Sequence, residues 1–254
     1  MRFVDYKDNF PNAQLTRSES GVLEVMLHTN GGTLIFNGHT HEQFVDLFHA
    51  IGSDSENRVV ILTGAGDAFM SEIVTDGFDF FTPIGYDKIY REGKKILMNL
   101  LDIEVPMIAA LNGPVLLHSE YLLLCDVVIA TPDTVFQDRP HLAFGLVPGD
   151  GMHVLWPEVI GSVRARYFLL TRQELNVSRA QEWGVVNEVV PKMELLERAR
   201  AIATTLVERP PLTSHLTRVA FTQRLRRIVD EGVGYGLALE GISAAEVGRS
   251  AKSP

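Results

Sequence analysis

The chain has 254 residues, 46% of them hydrophobic, with 23 Lys and Arg against 32 Asp and Glu and a formal net charge of −9. That balance excludes a mainly disordered chain and, with the basic residues scattered, argues against nucleic acid or an anionic membrane as partner. Cys125 stands alone, so neither an intrachain disulfide nor a multi-cysteine zinc site can form, and a chain of this length buries enough surface to fold without one.

The first ten residues carry Asp5, Lys7 and Asp8 and lack the apolar core of a secretion signal. No run approaches the roughly 18–20 apolar residues of a membrane span, so a reducing cytoplasm is the expected location. Residues 14–17 and 22–28 read as a hairpin across Ser18 to Gly21. After a turn at Asn30-Gly31-Gly32, Phe44, Leu47, Phe48 and Ile51 recur at helical spacing. Residues 58–63 (RVVILT) form a buried-strand pattern. Residues 67–85 are a long irregular segment rich in Phe and Gly, and loops of that length in compact domains are often functional.

The middle of the chain alternates: a helix over 87–103, a strand over 105–111, a short helix over 119–124 and a strand over 126–130. A Gly- and Pro-rich stretch follows over 132–151. Helices are then predicted over 163–170, 178–183 (with Ser178 as N-cap), 194–207 and 212–229, with a final segment after Gly232. The order indicates an α/β fold with parallel pairing wherever helices join the strands.

Three short motifs carry no function. Gly64-Ala65-Gly66 lacks the third glycine and the following helix of a dinucleotide fingerprint. His39-Thr40-His41 has no third ligand and reads as solvated residues at a helix start, so no metal is expected. No Gly-x-Ser-x-Gly elbow occurs.

The region from Ala109 to His153 is informative. Ala109-Ala110-Leu111-Asn112-Gly113-Pro114 leads to Glu120, then to Cys125-Asp126-Val127-Val128-Ile129-Ala130, Phe136-Gln137-Asp138-Arg139-Pro140-His141 and Gly145-Leu146-Val147-Pro148-Gly149-Asp150-Gly151. This order resembles the crotonase (enoyl-CoA hydratase/isomerase) superfamily. The likeness extends to residues 58–69 and to Val185 to Pro191. It implies a crotonase fold, with repeated ββα units forming a spiral core over residues 1–190. It also implies a helical C-terminal trimerisation region over 191–254, and a homotrimer or dimer of trimers.

Departures from the family pattern point to one branch. Relatives that handle CoA thioesters place glycines before the acid, whereas this chain has Leu117-His118-Ser119-Glu120, one residue shorter. Glycine lets a ligand approach the backbone because it has no Cβ. The other loop, Phe69-Met70-Ser71-Glu72-Ile73, also lacks the usual glycine. His141 stands where hydratases place a catalytic Glu, and Asp150 where a small residue is usual. The exchange is similar to 6-oxocamphor hydrolase and related β-diketone hydrolases, which break a C–C bond between two carbonyls by a retro-Claisen reaction. By that resemblance His141 and Asp150 form a catalytic dyad and His118 is a second active-site histidine. Glu240 and Phe78 are further pocket residues, Phe36 replaces a Trp, and Glu120 keeps the hydratase acid position. The implied partner is a small apolar, cyclic diketone, with no cofactor.

The chemistry suits these side chains. A histidine titrating near neutrality can take a proton from water as it attacks a carbonyl, and a carboxylate on its other nitrogen, here assigned to Asp150, would fix the tautomer. His118 would donate to the developing oxyanion. Either protonated His141 or water would return a proton to the enolate carbon. Structural readings compete: His141 as a satisfied core histidine, Asp150 as N-cap of a helix near Met152, Glu240 as a solvated charge, and the phenylalanines as core. The rival functions are a CoA-thioester hydratase or isomerase dependent on Glu120, and a catalytically silent crotonase-fold binding protein.

Overall fold

The computed structural model describes residues 1–250. A one-turn helix α1 (Phe3–Tyr6) precedes a hairpin of β1 (Ala13–Arg17) and β2 (Val22–Leu27). Four units then follow one plan, in which a long strand leads to a short extended segment in a second layer and on to a helix. The first is β2 with β3 (Ile35–Phe36) and α2 (Gly38–Gly52); the second is β4 (Val59–Gly64) with β5 (Glu72–Ile73) and α3 (Pro83–Leu101). The third is β6 (Met107–Leu111), a bridge at Val115 and α4 (Glu120–Leu123); the fourth is β7 (Val127–Ala130) with β8 (Val135–Phe136) and α5 (Pro140–Ala143). After them come α6 (Met152–Ile160), α7 (Ser162–Leu170), β9 (Leu175–Asn176), α8 (Val177–Glu182), β10 (Glu188–Val189), α9 (Leu195–Val207) and α10 (Pro211–Ser250). This is the α/β crotonase architecture of repeated ββα units followed by a helical region. Residues 251–254 lie outside the described ones.

The long strands form one sheet in the order β1-β2-β4-β6-β7-β10, antiparallel only at β1–β2. Its central strands are buried on both faces, which is why Val59 to Leu62 read as an unbroken apolar run. Val60 and Leu62 enter the main core, while Val59 and Ile61 face the opposite cluster. Leu195, Ala199 and Ala203 of α9 seal that second face at helical spacing. No helix among the described residues is long and apolar enough to cross a membrane.

Two local expectations are corrected. The last helix runs unbroken from Pro211 to Ser250 past Gly232. Its glycines mark close packing instead of a break: a Cβ on Gly232 would lie 2.5 Å from Val154, and one on Gly236 would lie 2.5 Å from the Gly149 carbonyl oxygen. Asn176, not Ser178, caps α8, its side chain accepting from the Arg179 N–H at 2.9 Å.

Arg218 fastens α10 to the core. It is 2% exposed and donates to the carbonyls of Ile103 (2.6 Å) and Leu124 (3.2 Å) and to the Asp126 carboxylate, which also accepts from the Met107 N–H. Removing one partner of a buried network strands the others. Arg218→Met is therefore expected to cost about 3–5 kcal/mol in urea unfolding.

Candidate active site

Each ββα unit sends side chains toward one place from the stretch that runs from its second-layer segment into the first turn of its helix. Phe36 and His41 come from the first unit, Phe78 from the second, His118 from the third and His141 from the fourth. Their rings meet: Phe36 lies 4.2 Å from His118 and 6.3 Å from Phe78, centroid to centroid, and His41 lies 5.6 Å from Phe78. Asp150 arrives from the loop before α6 and Glu240 from α10. They enclose a cavity of about 190 Å³ with an aliphatic and aromatic wall, including Phe80, Phe144, Leu146 and Leu237, and a polar end at His118, His141, Asp150 and Glu240.

The polar end is a charge cluster. Asp150 Oδ2 lies 3.4 Å from both His118 Nδ1 and His141 Nε2, and Glu240 Oε2 lies 3.9 Å from His141 Nε2. Glu120 Oε1 meets His118 Nδ1 at 2.7 Å. Burial alone would lower the pKa of His118, but the Glu120 and Asp150 carboxylates outweigh it and raise it to about 10. Burial also opposes protonation of His141, yet Asp150, Asp138 and Glu240 hold it well above 6.5. Burial would raise Asp150, and the two imidazoles overcome that to hold it well below the usual carboxylate range. Glu240 and Glu120 are pushed up to about 7, first by burial and then by the Asp150 charge, against the pull of the histidines.

The sequence-predicted residues therefore converge, with differences in position. His118, His141, Asp150, Glu240 and Phe78 line the cavity. Phe36 and Glu120 stand behind His118, one against its ring and one on Nδ1. Asp150 does not occupy the far nitrogen of His141. It faces Nε2, and the carboxylate on Nδ1 is Asp138, at 2.7 Å. The reason is local, since Asp138 lies immediately ahead of the short α5 that carries His141, whereas the chain to residue 150 curls around the ring's other edge. Gly151, with φ +122°, takes the N-cap position of α6 that Asp150 was considered for. His41 is also corrected: it is 5% exposed, lines the cavity and bonds Glu92 Oε2 through Nδ1 at 2.8 Å. Burial lowers its pKa although Glu92 opposes the shift. Helical spacing from Phe44 and Phe48 could have placed it on the buried face of α2.

The loops that would polarise a thioester are tied to each other. Leu116 N–H donates to the Met70 carbonyl at 2.7 Å, and Phe69 and Met70 N–H both point to the Pro114 carbonyl. His118 adopts φ +46°, a left-handed conformation that glycine takes at no cost, and its ring occupies the cavity end. His118, Glu120 and Asp150 bring one ligand atom each within 4.8 Å of one another. A cation there would have to displace the proton that these carboxylates favour on the imidazole.

Known proteins share this fold. A structure of a beta-diketone hydrolase from the cyanobacterium Anabaena sp. PCC 7120, bound to (S)-3-oxocyclohexyl acetic acid, superposes with a TM-score of 0.95. It is 54% identical over 96% of this chain and 98% of that one. A probable peroxisomal enoyl-CoA hydratase 1 of Arabidopsis thaliana is 30% identical, over 88% of this chain and 82% of its own length. A short-chain-enoyl-CoA hydratase of Clostridium acetobutylicum is 27% identical, over 88% and 86%. The enoyl-CoA hydratase/isomerase family matches residues 17–234, and the chain belongs to it.

Proposed function

We propose that the protein is a hydrolase that breaks the C–C bond of a small apolar, cyclic 1,3-diketone by retro-Claisen attack of water. The observation that carries this is the convergence of His118 and His141 on Asp150 at the head of an apolar cavity. The likeness to the Anabaena enzyme supports it. A keto acid such as the one bound there is what forms when water cleaves an acyl carbon from a ring carbon α to a ketone. Closing that bond again in 3-oxocyclohexyl acetic acid gives bicyclo[2.2.2]octane-2,6-dione, a substrate class that suits a cavity below the roughly 300–1,000 Å³ of drug-sized sites.

In this reading the diketone lies along the aromatic wall with one carbonyl toward His118. As an imidazolium, His118 carries a proton on each nitrogen, so with Nδ1 engaged by Glu120 it still has an N–H for the oxyanion. Water attacks that carbonyl as His141 Nε2 takes its proton. The C–C bond then breaks, its electron pair passing into the enolate of the second carbonyl, and a proton returns to carbon. The resting cluster holds His141 charged. Moving that proton to Glu240 gives a neutral base and a neutral acid of the same total charge. An apolar ligand that dries the cavity favours the neutral pair. Glu240 is then the acid that protonates carbon. Exposed Tyr167 and Leu170 of α7 and Phe221 and Ile242 of α10 support assembly as a trimer or dimer of trimers.

The test offers purified protein bicyclic and monocyclic 1,3-diketones alongside crotonyl-CoA. Keto acid is expected from the diketone, without hydration of the thioester. Thioester turnover that depends on Glu120, without diketone cleavage, would reverse the assignment.

A further inference from the structure

We infer that Asp138, not Asp150, is the positioning residue of His141. It holds the proton on Nδ1 so that Nε2 alone is presented to the cavity. The inference rests on the proposed role of His141 and adds a residue to it.

His141 sits in α5, a four-residue helix with Pro140 at its start. So short an element cannot by itself fix an imidazole plane. Asp138 is 2% exposed, and its Oδ1 lies 2.7 Å from Nδ1 of that ring. The backbone on both sides of it is pinned to the third unit: Gln137 N–H donates to the Val115 carbonyl (3.1 Å) and Arg139 N–H to the Leu116 carbonyl (3.0 Å). The carboxylate is thus delivered from a fixed platform, as a group meant to orient another must be. Asp150 is placed for something else. It shares one oxygen between two imidazoles at 3.4 Å and closes a good hydrogen bond with neither. Charged groups facing His141 are Asp138 from the β8–α5 turn, Asp150 from the loop before α6 and Glu240 from α10, with His118 beyond Asp150. Among them only Asp138 addresses Nδ1.

The test reads the ring directly. Protein labelled with 15N-histidine, its His141 signals identified by their loss in His141→Gln, is titrated without substrate until His141 is neutral. The expected tautomer carries the proton on Nδ1, the minor form of a free histidine side chain, with that proton far downfield. Asp138→Asn should abolish the downfield signal and Asp150→Asn should retain it. With diketone, Asp138→Asn should lower kcat by up to about 10⁴-fold, with KM within a few-fold, and Asp138→Glu should recover part of the loss. A neutral ring protonated on Nε2, or a downfield proton lost in Asp150→Asn and kept in Asp138→Asn, overturns the inference. Because the spectrum needs no turnover, absence of diketone cleavage in the unaltered protein would count against the proposed function alone, and the tautomer would still decide this point.

Discussion

Replacing His141 by alanine is expected to lower kcat/KM for a bicyclic 1,3-diketone by about 10³-fold or more, the scale seen when a hydrolytic histidine is removed. The loss combines three effects: no base for the attacking water, no partner for the buried Asp138, and a weaker hold on Asp150. His141 is 6% exposed, so truncation also leaves a cavity. Circular dichroism and the oligomeric state of the variant must therefore match the unaltered protein before the rate is interpreted. Keto acid formation, followed by chromatography, is the measurement. Activity within tenfold of the unaltered protein would remove His141 from the chemistry and turn attention to the Glu240 carboxylate, which also lines the cavity.

Glu240→Gln should change both the rate and its pH dependence. A general acid is worth about 10²–10⁴-fold, and glutamine can supply no proton to the enolate carbon, so kcat is expected to fall by about 10²-fold. With Glu240 titrating near 7 and His141 well above 6.5, the unaltered enzyme needs one proton shared between them. Its kcat/KM should rise through about pH 7 and fall again at higher pH, both limbs belonging to the pair. In Glu240→Gln only the neutral imidazole matters, so activity should climb with pH and not fall. That climb is shifted toward neutrality because one negative charge beside the ring is gone. Stability should move in the opposite sense to activity. A carboxyl whose folded pKa is raised costs nothing below its unfolded value of about 4.5, where both states are protonated, and its full amount above about 7, where both are ionised. The variant should be more stable than the unaltered protein by up to about 3 kcal/mol at pH 8, with no such gain at pH 4.5. Superimposable pH profiles would sink this assignment.

How much of this was legible in the sequence depends on whether the signal is local. Strands such as Val59–Gly64, buried on both faces, announce themselves as apolar runs. The motif residues from Ala109 to His153 identified the fold and brought His118, His141 and Asp150 into one site. Sequence could not say which edge of the His141 ring each carboxylate would meet, because that depends on how the chain between residues 141 and 150 curls. Asp138 was in plain view and unassigned for the same reason. His41 read as solvated because its partner, Glu92, lies on another helix. Glycines in α10 looked like a break because the close neighbours that explain them, Val154 and Gly149, are distant in sequence.

The contact between Gly149 and Gly236 constrains how this protein can evolve. A Cβ on Gly149 would lie 2.2 Å from the Gly236 carbonyl oxygen, and neither position has room for a side chain. The loop bearing Asp150 is thereby pressed on the backbone of α10 one helical turn before Glu240, locking the spacing of base cluster and acid against drift. Phe78, Phe80 and Phe144 carry no such restriction. Lineages that shift to a new diketone would keep the proton-handling end as an heirloom and remodel the aromatic wall, much as one chuck accepts many bits.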